Sequence, residues 1–116
     1  MNAEHKLITK KLHDITELLA SADYESLSNM CHGVRLNAKE IENAIEEYGE
    51  TLIPAPWSEL TSAIIIEITN SIPKAWSVTC PLWSKAEGKS DLTLELTMIA
   101  TPSGELTVEL DNIHVL

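Results

Sequence analysis

Phenylalanine is absent, and cations are scarce. Eight Lys or Arg stand against eighteen Asp or Glu in 116 residues, a formal charge of −10 at pH 7. A surface of that sign repels phosphate backbones and anionic lipid, so it argues against nucleic acid and membrane as partners and suits a cationic one. Without Phe, the core must rest on Leu, Ile and Val, with Trp57, Trp76 and Trp83 as the large fillers. Cysteine is limited to Cys31 and Cys80, far apart and outside any CxxC spacing. Two reduced, partly buried thiols are the expectation, with a cytoplasmic location as the default. The longest unbroken apolar stretch, Ala63 to Ile66, is far too short to span a bilayer. Residues 1–14 alternate charged and apolar side chains and lack the apolar run of a signal peptide.

What is present is the composition of one globular domain over residues 1–116, with an ordinary 44% hydrophobic fraction. Ile8, Leu12, Ile15 and Leu19 recur at spacings of four, three and four, which predicts an amphipathic helix over 4–21. Asp23 can cap a short second helix carrying Tyr24, Leu27 and Met30, with Gly33 ending it. Asn37 to Glu40 has the form of a capping box, and the helix it opens should bury Ile41, Ala44, Ile45 and Tyr48 and stop at Gly49. Two prolines rule out regular structure over 52–56, and residues 57–60 suit a single turn.

From residue 62 the period changes to two. Ile64, Ile66 and Ile68, then Trp76, Val78, Cys80 and Leu82, then Leu92, Leu94, Leu96 and Met98, then Leu106, Val108 and Leu110 alternate with mostly polar positions. The expected architecture is therefore α+β: two to three N-terminal helices packed on a C-terminal, curved, antiparallel sheet of about four strands, one face buried. A sheet curled round its helices would form a cone with a pocket, which resembles nuclear transport factor 2-like folds.

The charge is uneven. Residues 37–70 sum to −6, because Lys39 alone faces seven glutamates, and residues 91–116 sum to −5 with no basic residue. Glu42, Glu46 and Glu50 fall at i, i+4 and i+8, with Glu47 beside them. Like charges so spaced disfavour a helix by roughly 0.2–0.5 kcal/mol per pair. They form either a solvated face or a docking surface for a basic partner. Glu95, Glu109 and Asp111 should share the outer face of the last hairpin, with Glu67 extending the row, as a second such surface. Trp57 and Trp83 flank loops and are read either as caps of the core edge or as aromatic anchors.

No enzyme chemistry is expected. His5, His13, His32 and His114 lack metal-ligand spacing, and Cys31 and His32 are adjacent on a helix, where side chains point about 100° apart. No phosphate-loop, dinucleotide or nucleophile-elbow motif occurs. No catalytic residue, cofactor or metal is expected.

Trp76-Ser77-Val78, Pro81-Leu82-Trp83, residues 87–94 and the closing residues 109–116 resemble a family of small bacterial proteins of unknown activity. In size, acidity and compartment the chain also resembles the immunity proteins of bacterial toxin systems, including contact-dependent growth inhibition. That resemblance implies a cytoplasmic immunity protein that neutralises a cationic toxin domain, a nuclease being the natural case. Its expected partner-binding residues are Glu42, Glu46, Glu47, Glu50, Glu95, Glu109 and Asp111, with Trp57 or Trp83 as apolar anchor. The alternative is a small-molecule pocket protein or enzyme walled by Trp83 and the helices.

Overall fold

Residues 3–32, 35–61 and 63–115 are described in the computed structural model. Helices α1 (Ala3–Ala20), α2 (Tyr24–Met30) and α3 (Ala38–Tyr48) come first. Strand β1 (Leu52–Ile53) and the single-turn helix α4 (Trp57–Leu60) follow, then strands β2 (Ile64–Glu67), β3 (Ala75–Ser84), β4 (Gly88–Ala100) and β5 (Leu106–Val115). The expected α+β layout holds: the helices cover one face of an antiparallel sheet.

The helices form where periodicity and caps place them. In α1, Ile8, Leu12, Ile15 and Leu19 are buried on one stripe. Each such side chain contributes about 1.5–3 kcal/mol of burial. The Asp23 side chain accepts from the Ser26 amide and opens α2. The expected end of this helix at Gly33 lies outside the described residues. At α3 the Asn37 side chain accepts from the Glu40 amide at 2.9 Å, while Glu40 accepts from the Asn37 amide at 3.0 Å. The helix ends on Gly49 at φ +83°, a left-handed conformation that glycine adopts without strain.

The sheet has five strands where about four were expected. The addition is β1, whose two residues pair with Ser84 and Trp83 just ahead of Pro54. Prolines forbid donation at 54 and 56 but leave Leu52 and Ile53 free to pair. Strand β3 therefore carries β1 against one end and β2 against the other on one side, and β4, then β5, on the opposite side. Val78, Leu94, Met98 and Leu110 point inward and are buried against Ile8, Leu12, Leu27 and Ile41 of the helices. That packing fills the space in which a cone's pocket would open.

Two departures from the expected alternation bear on the acidic surface and the β2 edge. The register of β4 and β5 shifts between Glu95 and Leu96, so that Asp111 is an extra residue opposite them, a β-bulge. In β2 the phase is inverted relative to expectation. Ile64 and Ile66, opposite Thr79 and Ser77, lie on the outer face and are each 60% exposed. Glu67 pairs with Trp76, whose face is the inner one, so it does not extend the outward acidic row.

Candidate functional site

The acidic residues fall into two groups, treated differently by the fold. On the outer face of the last hairpin, Glu95, Glu109 and Asp111 do come together. Glu109 lies opposite Thr97 and Glu95 opposite Asn112, with the bulged Asp111 between. All three are engaged from within the chain. Arg35, in the segment before α3, places Nε 2.9 Å from Asp111 Oδ1 and an Nη 3.5 Å from Glu109 Oε1. The Arg35–Asp111 approach is electrostatic, since Oδ1 has no aligned hydrogen bond among the described residues. Thr97 donates its hydroxyl to Asp111 Oδ2 at 2.7 Å. The His114 ring, one register step along, contacts the Glu95 carboxylate. The hairpin acids are thus engaged from within the chain, one arginine shared by two of the three carboxylates and an imidazole on the third.

Helix α3 is different. Glu42 is paired with Lys39 at 3.1 Å. Glu46 and Glu47 are exposed and have no ion pair among the described residues. Glu50 lies beyond the left-handed Gly49, off the helix, so the expected three-glutamate stack stops at Glu46. It lines a hollow with Thr51, Lys85 and Ala86. The field of the helix is felt next door, where Tyr24 of α2 has its phenol pushed above the usual value, first by burial and then by Glu42 and Glu46.

The base of α3 is fixed in place. Tyr48 donates its hydroxyl to Glu87 Oε1 at 2.7 Å, and Ser84 donates to the same oxygen at 3.0 Å. That ties the C-terminal turn of the helix to the turn between β3 and β4. Between α3 and the ends of β4 and β5 runs a cleft of about 390 Å³. Ala44, Leu92, Ile113 and Val115 give it an apolar lining, and Glu47, Tyr48 and His114 supply its polar groups. His114 thus links the two acidic regions: it shares this cleft with Glu47 and holds Glu95.

The two tryptophans separate. Trp57 is 49% exposed and stacks on His13, with ring centroids 4.0 Å apart and planes 12° from parallel. Trp83 is half-buried on the outer face and lines a cleft of about 180 Å³ with Ala55, Ile64, Pro81 and Thr93. Neither lies in the α3 cleft.

Nucleophiles are suppressed. Cys31 and Cys80 are free and buried, and burial pushes both thiols up to about 11, so thiolate is scarce at neutral pH. No group of three His, Cys, Asp or Glu able to hold a metal occurs among the described residues. No helix among them is long and apolar enough to cross a membrane.

Arg35 is the residue that sequence reasoning missed, and for His114 it missed the partner, Glu95. Arg35 lies 74 positions from Glu109 and His114 19 from Glu95, so no local pattern announces either pairing. A lone arginine ahead of a capping box, in a chain this short of cations, was the one available signal.

A family model for a domain of unknown function, DUF7668, matches residues 16–116. The chain belongs to that family. No curated protein and no solved structure matches it.

Proposed function

We propose that this chain is a cytoplasmic bacterial immunity protein, and that it neutralises a cationic toxin domain, a nuclease by preference, through the exposed face of α3. The observation that carries the reading is the contrast between the two acidic groups. The hairpin acids are met by Arg35 and His114, whereas Glu46 and Glu47 are left bare on a helix held rigidly by its capping box and by Tyr48. Bare negative charges in the last turn of a helix oppose its dipole at a cost to stability, and they hold affinity for an incoming cation. A nuclease carries a positive cleft for phosphates, and a rigid acidic ridge beside an apolar groove is a suitable plug for it. Charge complementarity of this kind raises association rates to as much as ~10⁸–10⁹ M⁻¹s⁻¹ at low salt.

The small-molecule reading is less well supported. The Trp83 cleft, at about 180 Å³, lies below the roughly 300–1,000 Å³ of ordinary ligand pockets, and the α3 cleft, at about 390 Å³, reaches only the lower end of that range. The buried positions of β3 and β4 are largely apolar, which leaves little for acid–base chemistry.

Co-expression tests the proposal. The C-terminal domain encoded immediately upstream of this chain is produced alone and together with it. Growth arrest by that domain, relieved by the chain but not by its Glu46→Lys/Glu47→Lys form, is the expected result. An upstream gene with no toxic product, or protection untouched by the double reversal, contradicts it.

A further inference from the structure

The edge strand β2 is short and carries Glu67 on its inner phase, yet its outer face is wholly apolar. Its outer face carries Ile64 and Ile66, each 60% exposed, continued by Ile68 at 39%. Exposed edge strands normally carry charge or proline, because their unpaired amides and carbonyls are a template for another strand. Among the described residues no strand other than β3 pairs with β2. The Ile68 amide donates to the Ala75 carbonyl at 2.9 Å, on the β3 side. Antiparallel alternation then turns the backbone groups of Ile64 and Ile66 toward β3 as well, and those of Ile65 and Glu67 toward the open side.

We propose that β2 is a self-association edge, pairing antiparallel with β2 of a second copy about a two-fold axis at Ile66. Side chains directly opposite each other in an antiparallel pair share a face. In this register Ile66 meets its own copy and Ile64 meets Ile68, so an unbroken isoleucine ladder forms across the outer face. Ile65 and Glu67 face each other at the two hydrogen-bonded positions, so the two Glu67 carboxylates are not opposed.

The Ile64, Ile66 and Ile68 register is self-complementary, which makes the occupant a second copy, although each copy carries −10. The negative charge is concentrated at the other side of the sheet, on β5 and on α3, which packs beside it. Near β2 the charge is smaller. Lys74 is shared between Glu4 at 2.8 Å and Glu67 at 3.7 Å, a group of net −1. Across such a dimer, β5 and its copy are seven strand spacings apart, about 34 Å at ~4.8 Å each. That is several times the ~8 Å screening length at physiological ionic strength. The β2 edge is therefore where two copies meet with least repulsion, and it leaves both α3 faces turned outward. The inference does not depend on the proposed function.

Sedimentation velocity over a concentration and salt series, with an Ile66→Cys cross-linking arm, tests it. The expected result is a species of twice the 12.8 kDa chain mass, increasing with concentration and with salt and abolished by Ile66→Lys. Far-UV circular dichroism and tryptophan fluorescence confirm that this variant is folded. In the cross-linking arm, Ile66→Cys yields a disulfide-linked dimer under mild oxidation, because facing non-hydrogen-bonded positions lie about 4.5 Å apart, within disulfide reach. Ile72→Cys, at a position 96% exposed but off the ladder, does not, and the native thiols are buried. A monomer at every concentration and salt level overturns the proposal and leaves the edge to a strand of a different protein. A dimer indifferent to Ile66→Lys, or equal cross-linking through position 72, also overturns it. Association here strengthens with salt, whereas binding of a cationic client weakens, so the two readings fail separately.

Discussion

Replacing Glu46 by Gln should make the protein more stable. Glu46 lies one helical turn after Glu42 and in the last turn of α3, which ends at Tyr48. It has no ion pair among the described residues, and Lys39 already serves Glu42. Two unfavourable terms act on its charge. Repulsion from Glu42 at i,i+4 is worth roughly 0.2–0.5 kcal/mol, reduced by the Lys39 pair. A negative charge at the C-terminal end of a helix dipole costs a further ~0.3–1 kcal/mol at low salt. Removing both should stabilise the fold by about 0.5–1 kcal/mol. With an unfolding entropy near ~2.1 cal/mol/K per residue, that raises Tm by about 2–4 °C. Urea titration followed by tryptophan fluorescence, in parallel with a thermal melt, measures the effect. The gain should shrink toward zero in 1 M salt, where the screening length falls to about 3 Å. A neutral or destabilising outcome at low salt would mean that Glu46 makes a favourable internal contact, and the reading of α3 as charge held at a cost to folding would be wrong.

Other consequences are equally open to measurement. Leu94→Ala empties a fully buried position at the centre of the sheet and should cost about 2–5 kcal/mol, read as a lowered urea midpoint at unchanged slope. Buried Cys31 and Cys80, with thiols pushed up to about 11 from a usual 9.0, favour the folded state only while protonated. The unfolded chain releases these protons first, so their stabilisation is complete below pH 9 and is lost as the pH rises toward 11. Comparison with Cys31→Ala/Cys80→Ala should show a shallower decline for the variant over that range, and an identical decline would contradict the assignment. Arg35→Ala should lower stability by about 1–3 kcal/mol, because it leaves two largely buried carboxylates, with Asp111 Oδ1 fully buried, without their cation. It should also leave binding of a cationic client through α3 undiminished, and a marked loss of client affinity would place Arg35 or the hairpin in the interface.

Much of the scaffold was legible because local chemistry specified it. The four-three-four spacing of Ile8, Leu12, Ile15 and Leu19 and the Asn37–Glu40 box each determine their element with little tertiary input. So does the alternation of Val78 and Cys80 and of Leu92 through Met98. The phase of β2 was not legible. A run of three isoleucines has no polar partner set to reveal which side is buried, and only pairing with Ser77 and Thr79 turned Ile64 and Ile66 outward. The acidic residues were found, but their state was not. Whether a carboxylate is compensated depends on contacts such as Arg35 to Asp111, which the chain makes only after folding. Glu50 was misplaced for a simpler reason: the left-handed Gly49 lifts it off the helical period that the spacing implied.

The most direct measurement is the rate at which the cationic toxin domain associates with this chain, by stopped flow across an ionic-strength series, for the native sequence and for Glu46→Lys/Glu47→Lys. The account predicts a native on-rate that falls steeply with salt, and a variant that is slower at low salt and nearly flat across the series, with its fold intact. Equal rates and equal salt slopes for the two proteins would contradict it.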